Sequence, residues 1–107
     1  MKFVNCTPHP ITLLGADGVV LFTLPKGEVV PRLSQSTKEV EVVEGISITE
    51  TSFGDTQDLP DTQEGVLLIV SRLVLSGNPD RKDLVVPNEL VRDDAGNIVG
   101  CKSLARN

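Results

Sequence analysis

Apolar residues along the chain fall into short bursts separated by turn residues, a pattern that predicts strands rather than long helices. Phe3-Val4 opens the first burst, and Asn5-Cys6-Thr7-Pro8-His9-Pro10 interrupts it before Ile11-Thr12-Leu13-Leu14 resumes. Each proline fixes its own φ and drives the preceding residue out of the helical region, so Thr7 and His9 are both extended and the segment is a stiff connector. Gly15-Ala16-Asp17-Gly18 carries the Asp-Gly signature of a tight hairpin turn, with residues 19–24 as the returning strand. Pro25-Lys26-Gly27 predicts another turn, and residues 28–33 a further strand that Pro31 confines to an edge or a bulge.

Residues 34–38 are polar and predict a loop. Period-two alternation over 39–43 and 46–49 predicts two strands with one wet face, joined at a bulge or turn by Gly45. Residues 53–64, rich in Gly, Asp, Thr and Gln, predict a surface loop long enough for a binding or lid role. Val66-Leu67-Leu68-Ile69-Val70 is continuously apolar, which suits a strand buried on both faces at the centre of a sheet. Residues 71–76 fit either a continuation of that strand or a short helix, which Gly77-Asn78-Pro79 would end. Residues 83–87 predict a short strand closed by Pro87, and Leu90-Val91 pairs with residues 98–101 as a second hairpin over the turn at 93–97. No repeat or linker divides the chain, so residues 1–107 are expected to form a single domain. The fold class is mostly β, with α+β as its neighbour: a small antiparallel sheet or partly open barrel with one short helix.

Composition narrows the partners. A compact chain of 107 residues exposes roughly 5,800 Å² of the roughly 16,700 Å² its unfolded form exposes, so a core is available without staples. With 39% hydrophobic and 23% charged residues the chain is not disordered in character. No apolar run approaches the ~18 residues of a membrane span, and no membrane partner is expected. The opening Met1-Lys2-Phe3-Val4-Asn5 lacks the apolar stretch of a signal peptide, so cytoplasmic residence is the expectation. Trp and Tyr are absent and the net charge is −5, which argues against stacking on bases and against a phosphate backbone as partner. The acidity is local, however. Residues 37–64 hold eight acids and one Lys, whereas the flanks together hold seven acids and nine bases. Arg72, Arg81, Lys82, Arg92, Lys102 and Arg106 in the last third leave room for a pocket that takes a small anion.

Four groups carry candidate chemistry. His9 is the only His, held by flanking prolines, with Asn5 and Thr7 close enough to add a donor and an acceptor; alternatively Asn5 and Thr7 cap a local turn and the ring simply packs. Ser71-Arg72 follows the apolar strand, where a guanidinium fork suits phosphate or carboxylate; the plainer reading is a Ser N-cap beside a surface Arg. Asn78-Pro79-Asp80-Arg81-Lys82-Asp83 packs two acids and two bases into a turn, so that Asp80 or Asp83 can hold Arg81 or Arg72 in a fixed pose, or all can be solvated. Cys6 and Cys101 would close most of the chain in a disulfide worth ~4 to 5 kcal/mol in the loop-entropy model, but without an export signal two buried thiols are expected. Cys6, His9 and Cys101 are one ligand short of a structural zinc site, and no phosphate-binding loop, dinucleotide fingerprint or nucleophile elbow is present. No metal or cofactor is expected.

Asn5-x-Thr7-Pro8-His9-Pro10-Ile11, Val70-Ser71-Arg72, Pro79-Asp80-Arg81-x-Asp83-Leu84-x-x-Pro87 and Arg92-Asp93-x-x-Gly96-x-Ile98-Val99-Gly100-Cys101 together resemble a family of short, uncharacterised bacterial and bacteriophage-associated proteins. The resemblance covers nearly the whole length and transfers no activity. It implies a setting in which small accessory proteins bind a host protein or a nucleotide signal.

The resulting expectation is a non-enzymatic binding protein for a small anionic, nucleotide-like metabolite. Arg72 and Arg81 would hold phosphates, Asn5, Thr7, His9 and Ser71 would supply polar recognition, and Asp80 would orient an arginine. Two alternatives stand beside it: an interaction module that meets a host protein through the acidic middle or an edge strand, and a small hydrolase or transferase with His9 as general base. A homo-oligomer that completes the site is compatible with all three.

Overall fold

Two separate sheets and one short helix make up the regular structure of the computed structural model, which describes residues 1–107. In chain order these are β1 (Lys2–Asn5), β2 (Ile11–Leu14), β3 (Val20–Leu24), β4 (Arg32–Val43), β5 (Ile46–Gln57), β6 (Val66–Ile69), α1 (Arg72–Gly77), β7 (Leu84–Arg92) and β8 (Ile98–Ala105). Six strands form one sheet in the order β1-β6-β7-β8-β2-β3, while β4 and β5 form a ribbon of their own. The fold is mostly β with one short helix, as the sequence pattern predicts.

The pairing departs from the antiparallel expectation. Within the six-stranded sheet β1 runs parallel to β6, β6 to β7, and β2 to β8, and only β2–β3 and β7–β8 are antiparallel; the β4–β5 ribbon is antiparallel as well. Turn chemistry reveals hairpins, but a parallel pair needs a crossover that leaves no local signature. Here residues 70–83, with α1 inside them, carry the chain from the end of β6 to the start of β7. Ser71 caps α1, its Oγ accepting from the Val74 N–H at 3.3 Å, and the Asn78 N–H closes the other end on the Leu75 carbonyl at 3.2 Å. The short-helix alternative for 71–76 is thus the one realised. Val74 and Leu75 bury against Cys6, Leu68, Val70, Leu84 and Val86, the main core cluster.

Side chains alternate across a strand, so Leu67 and Val85 point to the opposite face from Leu68, Leu84 and Val86. That second face curls: Phe3 of β1 and Phe22 of β3, on the two edge strands, stack with ring centroids 6.4 Å apart. The sheet therefore closes on itself almost as a barrel. β7 runs on through Pro87 to Arg92 instead of ending there, because its pairing with β6 stops at Val85 and Pro87 faces only β8. A proline without an N–H is tolerated where one side of the strand has no neighbour.

The ribbon accounts for the largest difference from expectation. Residues 34–38 and 53–57 are strand, not loop, and the strand expected from residue 28 begins only at Arg32. Their polar side chains hide no alternation, but they pair across the ladder: Ser36 with Ser52 Oγ to Oγ at 2.9 Å, and Thr37 with Thr51 at 3.4 Å. Glu44 and Gly45, with φ of 50° and 83°, make the tight turn at the tip. Both faces of the outer ribbon are exposed, including Val40, Val42, Val43, Ile46 and Ile48, so the expected single wet face is not what forms. The chain exposes 7412 Å², about 1,600 Å² above the compact value, and its radius of gyration is 16.9 Å where a compact chain of this length has about 13 Å. No helix is long and apolar enough to cross a membrane.

Candidate functional site

The connector between β1 and β2 is built around Asn5, which is 7% exposed. Its Nδ2 donates to the His9 carbonyl at 2.8 Å and to the Pro25 carbonyl at 2.9 Å, and its Oδ1 accepts from the Thr7 N–H at 2.9 Å and from Thr7 Oγ1 at 2.6 Å. Two further backbone bonds pin the same segment: Cys6 N–H to the Ile69 carbonyl and Gly27 N–H to the Thr7 carbonyl, both at 2.8 Å. The two prolines leave the backbone short of donors, and one amide side chain supplies the missing ones. A bent, rigid loop results, with the His9 ring on its exposed side.

This loop forms one wall of a cleft of about 550 Å³. Thr7 and His9 line it on one side, and Ser71 and Arg72, at the end of β6 and the start of α1, line it on the other. Val70, Val86, Leu90, Val99 and Cys101 supply an apolar floor. Arg81–Asp83 is the only ion pair in the chain, so the exposed Arg72 guanidinium has no carboxylate partner. Ser71 Oγ accepts one bond as the helix cap, and its hydroxyl hydrogen remains to be donated. His9 enters hydrogen bonds through its carbonyl, which also accepts from Thr7 Oγ1 at 3.1 Å.

Of the seven residues singled out from sequence, four meet at this cleft, and Asn5 stands behind it as the residue that shapes the wall. Arg81 and Asp80 do not join them. Arg81 Nε and Nη2 fork onto Asp83 Oδ1 and Oδ2, each at 2.9 Å, and Nη2 also donates to the Pro60 carbonyl at 2.9 Å. That arrangement ties the segment after β5 to the start of β7. The guanidinium holds the Asp83 carboxyl below the usual carboxylate range, chiefly by donating hydrogen bonds to it, and Asp83 raises Arg81 in return. The arginine-orienting role expected of Asp80 belongs to Asp83, whose two carboxylate oxygens accept the Arg81 fork. Asp80 itself lies exposed in the turn.

The thiols of Cys6 and Cys101 are free and buried. Burial pushes both up from the ordinary thiol value. Cys101 Sγ lies 3.8 Å from the Thr12 carbonyl. No three of the His, Cys, Asp and Glu side chains gather as a metal site would require. The floor residues Val86, Leu90 and Val99 were missed as site residues from sequence, since in a strand an apolar residue that lines a cleft reads the same as one that fills a core. Comparison with protein-family models, curated proteins and solved structures finds no match for this chain.

Proposed function

We propose that this protein binds a small anionic, nucleotide-like metabolite or signal in the cleft between the Asn5–Pro10 connector and α1, without turning it over. The observation that carries this reading is the convergence of a free guanidinium, two hydroxyls and an imidazole on one cleft with an apolar floor, the usual composition of a small-molecule site. Arg72 takes the phosphate, the apolar floor and the His9 ring take a base or a sugar face, and Thr7 and Ser71 give direction. Catalysis with His9 as general base is less well supported, since no side chain orients the imidazole. The bacterial or bacteriophage setting and cytoplasmic residence come from the sequence resemblance and are part of the same proposal.

The test is thermal shift and calorimetry against mono-, di- and cyclic nucleotides and inorganic phosphate. A ligand at 100 times its Kd stabilises by about 2.7 kcal/mol, which raises Tm by roughly 10–20 °C in a chain of this size. Arg72→Ala should weaken binding at least tenfold and His9→Ala less. A panel that moves nothing, or binding that Arg72→Glu leaves intact, refutes the reading.

A second reading rests on the ribbon. Its exposed Val and Ile side chains alternate with Glu39, Glu41, Glu44 and Glu50, and the surplus surface of about 1,600 Å² is about twice the roughly 800 Å² that one partner gives to a standard protein interface. An acidic, apolar ribbon with open edges suits a basic partner protein that adds a strand. Recovery of one stoichiometric protein from host lysate, lost on charge reversal at Glu39, Glu41 and Glu44, would favour this over the cleft.

A further inference from the structure

The inner face of the curled sheet forms a second, open-sided cavity of about 380 Å³, distinct from the cleft. All six strands contribute to its wall, and its lining contains no acid. Leu67 and Val85 lie at its base, and Phe3 and Phe22 meet across its seam. At its polar end stand Lys102 and Arg106, neither of them paired with a carboxylate.

Two cations without a carboxylate partner beside an apolar wall that holds no acid favour an amphiphilic anion. We infer that this cavity binds a free single-chain carboxylate: the alkyl chain lies against Leu67, Val85 and the phenyl pair, and the carboxylate pairs with Lys102 and Arg106. The volume is at the small end of ligand cavities, which fits one medium-length chain and not a two-chain lipid. Leu21 and Phe22, 64% and 42% exposed, are the apolar surfaces such a chain would cover. Net acidity of the molecule makes the choice of head group informative, because an anion is drawn here only by the local pair of cations.

The experiment is a methyl and amide NMR titration of the full chain with octanoate, decanoate and decyltrimethylammonium, each below its micelle-forming concentration. Decanoate should move Leu67 and Val85 saturably and leave Val86 and Val99 in place. Each buried methylene is worth about fourfold in affinity, so decanoate should bind roughly fifteenfold tighter than octanoate. The cationic amphiphile should bind at least tenfold more weakly than decanoate, and Lys102→Glu with Arg106→Glu should reverse that order in a protein whose spectrum is otherwise unchanged. Equal affinity for the two chain lengths, indifference to head-group charge, or shifts centred on the cleft would each overturn the inference. Should the double variant not fold, Leu21→Glu at the exposed rim provides the same decision: decanoate binding must fall at least fivefold, and unchanged binding overturns the proposal.

Discussion

Asn5→Ala tests whether one side chain holds the cleft wall. The substitution removes four hydrogen bonds. The His9 carbonyl keeps Thr7 Oγ1 as a donor, so the groups left without a protein partner are the Thr7 N–H and the Pro25 carbonyl. A typical bond contributes about 1 kcal/mol net, and a stranded group costs about 1–3 kcal/mol depending on how well water reaches it. The segment is only partly buried, which places the total at about 2–4 kcal/mol. Against a global stability of roughly 5–15 kcal/mol that is a large fraction. At an m value of about 1.5 kcal/mol/M, the urea midpoint should fall by about 1.3–2.7 M with m unchanged. Asn5→Asp should cost as much, since it keeps the acceptor for Thr7 but turns a second oxygen onto two carbonyls. His9→Ala should change stability by under about 0.5 kcal/mol, because its side chain makes no hydrogen bond. If Asn5→Ala melts within 0.5 kcal/mol of the parent protein, the connector is held by its backbone bonds alone and the reasoning fails.

Three further expectations follow from packing and charge. Asp83 is held below its ordinary value, so its contribution is full above the unfolded pKa of about 3.9 and is lost as pH falls through the lower folded value; Asp83→Asn should therefore cost about 1–2 kcal/mol at pH 7 and progressively less below pH 4, measured by urea melts across that range. Gly27→Ala would drive a methyl into the Asn5 carbonyl oxygen, with the Cys6 Cα 3.0 Å away, both of them backbone; a loss of about 1–3 kcal/mol is expected by calorimetry, and a Tm within 2 °C of the parent would contradict the packing. Cys6 and Cys101 should be inert to a thiol reagent at pH 8 in the native protein and release two equivalents on unfolding.

Hairpins were legible because their signals are local. Asp17-Gly18 and residues 93–97 announce turns through residue types that the turn geometry requires, and the β2–β3 and β7–β8 pairs formed where they pointed. The parallel neighbours were not legible, since nothing in Lys2–Asn5 records that Val66–Ile69 will lie beside it. Ser36 and Thr37 misled for a different reason: a strand that buries neither face has no apolar rhythm to reveal it. At the cleft, the Pro-flanked motif and Ser71-Arg72 carried enough restricted residues to be picked out. Arg81 did not separate from Arg72 on sequence, because Asp80 and Asp83 could in principle reach either, and only the fold decides which one a carboxylate meets.

The ribbon also bears on the order of refolding. Its strands meet across the Glu44-Gly45 turn, so it needs only a short loop to close and should form within about 1–10 μs. β1 must find β6, and β2 must find β8, across most of the chain, which is slower by the entropy of the loop each encloses. The earliest ordered element is thus the one that leaves Val40, Val42, Ile46 and Ile48 in water while the six-stranded sheet is still assembling. Glu39, Glu41, Glu44 and Glu50 break up that apolar stretch and act as gatekeepers against strand stacking between chains. Neutralising them should leave the native sheet intact and lower the concentration at which refolding gives way to aggregation.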